Sequence, residues 1–160
     1  FIFLPVSNAY TKSELVSNFH RKSMLEIATK EYKNISICDL ELEDSDYLGT
    51  YQSLIRLSDK YEEDIAFVVG ADNLLKMYKW ININGILSEF KIIVLGRNGI
   101  DIKRLIKDDM VLNKHLNSFI IYEDFKLNIS STNFRETFNK DLVDSKVYKY
   151  IIKNKLYRGE

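Results

Sequence analysis

Three hydroxyl side chains and one arginine make the segment NISSTNFRETF the first place to look for chemistry. Ser130, Ser131 and Thr132 follow a strand-like run, and Arg135 comes three or four residues later on the same helical face. A serine there can cap a helix, and the free N–H groups of a first helical turn attract anions. Together with a guanidinium, these groups would suit a chain of phosphates. Capping serines are common, so the segment alone fits an N-cap beside a surface arginine at least as well.

The segment VVGADNLLKMYKW holds a second group of candidates. Gly70, directly after a strand-like run, permits a tight turn or the close approach of a ligand. Asp72 could accept hydrogen bonds from a ribose or an adenine amine, and it could equally cap the helix that follows. Trp80 is the single tryptophan; it could stack on a flat ring, although a lone tryptophan more often belongs to a core.

The elements that must position these residues alternate along the chain. Short apolar runs at residues 1–4, 35–38, 65–69, 91–95 and 119–122 are typical of strands buried on both faces of a parallel sheet. Helical periodicity covers residues 18–32 and 50–61 and recurs at Val143, Val147 and Ile151. We therefore predict a three-layer α/β domain over residues 1–160, in which ligands bind outside the carboxyl ends of the strands.

Composition narrows the class of protein. Lys+Arg and Asp+Glu balance at 23 each, which gives no support to a nucleic-acid or membrane-surface binder. The single Cys38 excludes a disulfide framework within the chain, and His20 and His115 lie far apart, so no metal site is predicted. No apolar run is long enough to span a bilayer, and we expect a cytoplasmic protein. The oligomeric state stays open, a homo-oligomer included.

Five segments, taken in order, resemble the nicotinamide/nicotinate mononucleotide adenylyltransferases. They are PVSNAYTKSELVSNFHRKSMLEIATK, VVGADNLLKMYKW, KIIVLGRNG, ISSTNFR and VYKYIIKNKLY. The resemblance implies a Rossmann-like nucleotidyltransferase fold with a mainly parallel sheet. It also implies transfer of the adenylyl group of ATP to nicotinate or nicotinamide mononucleotide, which gives the dinucleotide and pyrophosphate in NAD biosynthesis. Mg²⁺ would accompany ATP.

The same resemblance implies a role for each matching residue. The ATP-binding residues would be Gly70, Asp72, Arg97, Ser130, Ser131, Thr132 and Arg135, with Arg135 as the catalytic residue. Lys12 would bind the phosphate of the mononucleotide. Tyr47, Thr50 and Trp80 would surround its pyridine ring, which is a flat cation attracted to aromatic faces.

The chain also departs from the family pattern. The family's first strand and its H-x-x-H loop have no counterpart, so the resemblance implies an N-terminally incomplete domain. SNAYTK stands where bacterial members have NPPHK, which leaves the choice between acid and amide substrates open. Two alternatives remain: a related nucleotidyltransferase with another phosphate acceptor, such as a pantetheine or glycerol phosphate, and a truncated module that binds nucleotide without turnover.

Overall fold

The computed structural model describes residues 1–9, 15–97, 99–123, 125 and 129–157. The chain divides into two compact units. The terminal unit comprises Phe1–Tyr47 and Ile129–Glu160, and the central unit comprises Leu48–Asn128. No helix in the described ranges is both long and apolar enough to cross a membrane.

Strands and helices alternate through most of the chain, as the sequence predicts. In chain order the elements are β1 (Ile2–Phe3), α1 (Asn18–Thr29), β2 (Ser36–Ile37), α2 (Thr50–Tyr61), β3 (Ala66–Gly70), α3 (Ala71–Met77), α4 (Ile83–Glu89), β4 (Lys91–Leu95), α5 (Ile102–Asp108), β5 (Phe119–Tyr122), α6 (Ser131–Thr137) and α7 (Ser145–Lys153). Two 3₁₀ segments, Leu112–Ser118 and Lys140–Leu142, complete the described elements.

The central unit is built on a parallel sheet in the order β3-β4-β5. The middle strand, β4, buries Ile92 and Val94 completely, while Ile93 between them is half-buried. Helices supply the rest of this core through their apolar faces, with Leu74, Met77, Ile86, Leu87, Ile102, Ile106 and Leu112 among the most buried side chains. Apolar side chains on both faces of the sheet explain why the strand sequences are continuous hydrophobic runs.

The terminal unit pairs β1 with β2 in parallel and packs α1 against α7. Its core consists of Phe134, Val147, Ile151 and Leu156, with half-buried apolar side chains of α1 packed against them. The Asp144 carboxylate caps α7 by accepting hydrogen bonds from the backbone N–H groups of the second and third helical residues, at 2.8 and 3.2 Å. This cap fixes the start of the helix that carries two of the four core residues.

The mixed α/β class with parallel pairing is confirmed, and all five predicted strands are present. Their pairing gives a two-stranded and a three-stranded sheet. Helix α2 has the predicted bounds, whereas α1 ends at Thr29, three residues before the end of the predicted periodicity. The helices α4 and α5 did not stand out in the sequence, because seven residues make only two turns of an amphipathic pattern.

The central strand generates a prediction about stability. Replacing Ile92, which is 0% exposed, with alanine should lower the free energy of unfolding by about 2–5 kcal/mol, since it leaves a cavity in the middle of the sheet. The matched control is Ile120→Ala on β5, where the side chain is 42% exposed and the loss should be about 1 kcal/mol or less. Urea unfolding followed by circular dichroism measures both, and equal losses would contradict this account of the core.

Candidate functional site

Asp72 and Arg97 lie together at the carboxyl ends of β3 and β4. The parallel register pairs Gly70 with Leu95, the last residues of the two strands. Asp72 and Arg97 each follow two residues later, and Arg97 Nη1 lies 3.7 Å from Asp72 Oδ1. Their side chains are 26% (Arg97) and 41% (Asp72) exposed, so this ion pair is open to a ligand from solvent.

Gly70 makes the space for this pair. Its backbone is extended, with φ −74° and ψ 151°, so any residue could adopt it and no tight turn is present. A Cβ at this position would lie 2.6 Å from Asp72 Oδ1 and 3.7 Å from Arg97 Cδ. The absence of a side chain, rather than unusual backbone freedom, is therefore what the position requires.

The Asp72 carboxylate has an unused acceptor. Its Oδ1 atom is buried and accepts no hydrogen bond from any residue that the structure describes. The side chain lies in the first turn of α3, whose N-cap is Gly70. A buried carboxylate oxygen without a donor is unfavourable, and a ligand hydroxyl or amine would satisfy it.

A cavity of about 540 Å³ opens at the carboxyl ends of β4 and β5. It is lined by Leu95, Lys103, Ile121, Tyr122, Glu123 and Phe125. Lys103 and Glu123 form an ion pair at 3.3 Å on its wall. Sequence reasoning missed these residues, because side chains from strand ends and a following helix converge only after folding. The volume is within the range of small-ligand sites.

Gly96, like Gly70, lies where the site requires a residue without a side chain, and sequence analysis did not identify it. It follows β4 directly, and its N–H donates to Tyr122 O at 2.8 Å. A Cβ there would lie 2.4 Å from the Glu123 backbone oxygen, so the close approach of the two chain segments requires glycine. This approach sets the wall of the cavity at the end of β5. The first glycine of the segment KIIVLGRNG, placed directly after a strand-like run, was the sequence signal for this close approach.

In the terminal unit, Ser130 caps α6. Its hydroxyl accepts a hydrogen bond from Asn133 N at 3.0 Å, so the capping interpretation holds for this serine. Ser131 and Thr132 are exposed in the first turn, and Arg135 Nη2 donates to Thr132 Oγ1 at 3.5 Å. The neighbouring Phe134 is buried in the terminal core and holds the helix in place. Hydroxyls and a guanidinium thus occupy one accessible face.

Tyr157 joins this group, although sequence analysis identified it only as part of the motif VYKYIIKNKLY. Burial raises the pKa of the Tyr157 phenol, and the positive charges of Arg135 and Arg21 oppose that rise in pKa. Both guanidinium groups therefore act on the same hydroxyl. The Tyr157 backbone has φ +60°, an uncommon conformation for a non-glycine residue.

The residues predicted to surround a pyridine ring are divided between the units. Trp80 is half-buried and packs edge-on against Phe67, with ring centroids 6.0 Å apart, so part of its surface belongs to the core. Thr50 is the first residue of α2 in the central unit. Tyr47 is 44% exposed at the end of the first segment of the terminal unit. Lys12 lies outside the described residues.

The described residues contain no group of three or more His, Cys, Asp or Glu side chains that could hold a metal ion. His20 contacts Tyr150 instead, with 2.9 Å between Nδ1 and the phenolic oxygen.

Comparison with known proteins gives a family and a set of relatives. Residues 1–137 match the family model described as Cytidylyltransferase-like. A probable nicotinate-nucleotide adenylyltransferase of Clostridium acetobutylicum is 34% identical over 165 residues, covering 98% of this chain and 82% of the relative. A protein of the same name from Acholeplasma laidlawii is 32% identical over 161 residues, covering 98% of this chain and 80% of the relative.

Solved structures show the same fold. A Plasmodium falciparum nicotinic acid mononucleotide adenylyltransferase complexed with NaAD has a TM-score of 0.75 at 21% identity. The same enzyme complexed with APC gives 0.72 at 20% identity. Each match covers 98% of this chain and 81% of the neighbour. The five ordered motifs, the family model and relatives above 30% identity agree, and the chain belongs to the cytidylyltransferase-like family and, within it, to the nicotinamide/nicotinate mononucleotide adenylyltransferases.

Proposed function

We propose that this protein transfers the adenylyl group of ATP to a pyridine mononucleotide, with nicotinate mononucleotide as the preferred acceptor, and so makes a dinucleotide for NAD biosynthesis. The relatives, probable nicotinate-nucleotide adenylyltransferases, support the reaction and the acid form of the acceptor. The geometric observation that carries the proposal is the buried Asp72 Oδ1 acceptor beside Arg97 at the carboxyl end of the sheet.

The Gly70, Asp72 and Arg97 group is assigned to the adenosine part of ATP. A hydroxyl of the ribose or the amine of adenine can donate to Asp72 Oδ1, which has no donor among the described residues. Gly70 leaves the space that this carboxylate occupies. Arg97, whose Nη1 lies 3.7 Å from Asp72 Oδ1, contributes a positive charge for the nucleotide.

The ATP phosphates are assigned to Ser130, Ser131, Thr132 and Arg135. Ser130 already uses its hydroxyl as the cap of α6, so Ser131 and Thr132 offer the accessible hydroxyls. Helix α6 has only seven residues, so the partial positive charge at its N-terminus is small. The full charge of Arg135 is therefore more important for binding the phosphates. A guanidinium binds phosphate oxygens through two parallel N–H donors.

The chemistry is a displacement at phosphorus. An oxygen of the mononucleotide phosphate attacks the α-phosphorus of MgATP, the bond to the β-phosphate oxygen breaks, and pyrophosphate leaves with the negative charge. No protein nucleophile is required. The protein aligns the two substrates, and Arg135 neutralises charge that develops on the phosphate oxygens. Mg²⁺ enters as part of the MgATP substrate.

For the acceptor, Lys12 is proposed to bind the phosphate, and Tyr47, Thr50 and Trp80 to contact the pyridine ring. Trp80 packs partly against the core, so only the exposed part of its surface is left for such a contact. Residues 1–160 are proposed to form one adenylyltransferase domain, since the match to the relatives covers 98% of this chain.

Arg135→Ala should lower kcat/KM at least about a hundredfold, because removal of one charge-stabilising donor typically costs about 2.7–4 kcal/mol of transition-state binding. Pyrophosphate release with MgATP and nicotinate mononucleotide measures the effect. The matched control is Arg104→Ala on α5, an arginine whose side chain is 78% exposed and pairs with Asp108. Its turnover should stay within about twofold of wild type. Near-wild-type turnover by Arg135→Ala would remove Arg135 from the reaction.

Acceptor choice is tested by the same assay. We expect a higher kcat/KM with nicotinate than with nicotinamide mononucleotide, and a reversed order would contradict the acid preference. Turnover only with a pantetheine or glycerol phosphate would favour a different nucleotidyltransferase. ATP binding without pyrophosphate release from any acceptor would favour a module that binds nucleotide but does not catalyse.

A further inference from the structure

Ile81 covers Gly49 at the start of α2, within the central unit. A Cβ at Gly49 would lie 3.2 Å from Ile81 Cβ, 3.3 Å from Cδ1 and 3.7 Å from Cγ1. Thr50, the first residue of α2, follows Gly49, and Trp80 precedes Ile81. The Ile81 side chain is therefore next to the two residues of this unit that are assigned to the pyridine ring, Thr50 and Trp80.

The backbone on both sides of Ile81 is fixed. Before it, Trp80 N donates a hydrogen bond to Met77 O at 2.9 Å, and Met77 is completely buried. After it, the Asn82 side chain caps α4 by accepting from Gly85 N at 3.3 Å. The Ile81 side chain therefore extends toward α2 from a defined point.

Gly49 is fixed from the side of α2. Its carbonyl oxygen accepts hydrogen bonds from Ser53 N and Ser53 Oγ, each at 3.3 Å, and Ser53 is 5% exposed. The Gly49 backbone has φ +87°, which side chains other than hydrogen rarely allow. Position 49 thus requires glycine both for its backbone and for the space that Ile81 occupies. The isoleucine rests on a surface that is already in place before a ligand binds.

The packing of α2 against α4 has its own contacts, apart from Ile81. A Cβ at Gly85 would lie 2.7 Å from Tyr51 Cε2, so the Tyr51 ring covers Gly85 closely. The Tyr51 hydroxyl also donates to Glu89 Oε1 at 2.8 Å. Ile81 itself is 58% exposed, and its truncation would remove little buried surface. A rigidly supported apolar side chain that faces solvent is suited to contact with a ligand, because little entropy is lost on binding.

We propose that Ile81 is a further acceptor-binding residue, whose exposed side chain packs against the pyridine ring of the mononucleotide. The inference rests on the proposed function, which assigns Thr50 and Trp80 to that ring. An aliphatic side chain gains free energy by removing the apolar surface of a ring from water. It does not distinguish a carboxylate from an amide, so Ile81 acts on affinity for both mononucleotides alike.

The test is Ile81→Ala, which truncates the exposed side chain. The dissociation constant for nicotinate mononucleotide should rise about fivefold, the size expected when roughly one buried methyl group is lost. Quenching of the single tryptophan, Trp80, measures this constant without turnover. In the pyrophosphate assay, KM for either mononucleotide should rise by the same factor, while KM for ATP and kcat stay within about twofold.

The matched control is Leu116→Ala in the central unit, where the truncated leucine is 55% exposed. It should change neither KM nor the dissociation constant. A purely structural role of Ile81 would lower the folded fraction, measured by circular dichroism, and the apparent kcat without changing KM. That result, an unchanged dissociation constant, or an equal rise of KM for ATP overturns the proposal.

A pair of variants of equal shape keeps the test decisive if Ile81→Ala folds poorly. Ile81→Val keeps the branched apolar side chain and should bind nicotinate mononucleotide within about twofold of wild type. Ile81→Thr replaces one methyl group with a hydroxyl and should bind it more weakly than Ile81→Val. Equal dissociation constants for the two variants overturn the proposal.

Ribose 5-phosphate, which lacks the pyridine ring, gives a second probe. Its inhibition constant against the mononucleotide should be the same in wild type and Ile81→Ala, because Ile81 is proposed to contact the ring alone. An equal loss of affinity for ribose 5-phosphate and for the mononucleotide overturns the proposal.

The wild-type protein separates this inference from the proposed function. Absence of both pyrophosphate release and Trp80 quenching with either mononucleotide would remove both. Quenching without turnover would remove the proposed reaction, and the dissociation constants would still decide the role of Ile81. Wild-type turnover with unaltered acceptor affinity in Ile81→Ala would remove only the role of Ile81.

Discussion

The in-register parallel pairing of β3 and β4 is the constraint on which the Gly70, Asp72 and Arg97 part of the candidate site depends. Gly70 and Leu95 end their strands side by side, so the chain leaves both strands at the same edge of the sheet. Asp72 and Arg97 each follow two residues later, and Arg97 Nη1 lies 3.7 Å from Asp72 Oδ1. A shift of one residue would turn the side chains of one strand to the opposite face and separate the pair.

The fold maintains an incompletely satisfied carboxylate at that edge. Leaving a buried acceptor without a donor costs about 1–3 kcal/mol, and a nearby arginine at ion-pair distance offsets only part of this. Gly70 contributes by having no Cβ to compete with Asp72 Oδ1 for space. Ala71 and Leu74, which are buried on either side of Asp72 in the sequence, anchor the start of α3 in the core. A ligand donor then gains the full benefit of an acceptor that is already in place.

Much of this architecture follows from the sequence. Apolar runs bounded by glycine and polar residues predicted all five strands, and the periodicity of residues 50–61 predicted α2 with its observed bounds. The cap at Ser130 was also one of the stated interpretations, since a serine before a helical pattern is a local signal. These features depend on residues that are close together in the chain, which is why a single sequence contains them.

Other features depend on distant parts of the chain and could not be predicted. The contact between Asp72 and Arg97 requires the strand register. Arg21 and Arg135, which both oppose the rise in the pKa of Tyr157, come near its phenol only when the two sequence segments of the terminal unit pack together. Of the two interpretations of Gly70, the tight turn is wrong, since its backbone is extended, and the space that its missing Cβ leaves is used by Asp72. Contacts between side chains that are far apart in the sequence produce no periodic pattern, so they cannot be predicted from one sequence.

A reaction that uses no protein nucleophile depends strongly on the contacts that position the charged side chains. When catalysis consists of alignment and charge neutralisation, an error of position in a charged group has the same consequence as its loss. Two charged groups of the candidate site each depend on an uncharged neighbour: Asp72 on the missing Cβ at Gly70, and Arg135 on helix α6, which the buried Phe134 anchors in the core. The chemistry therefore constrains these supporting residues as strongly as it constrains the charged groups that they hold.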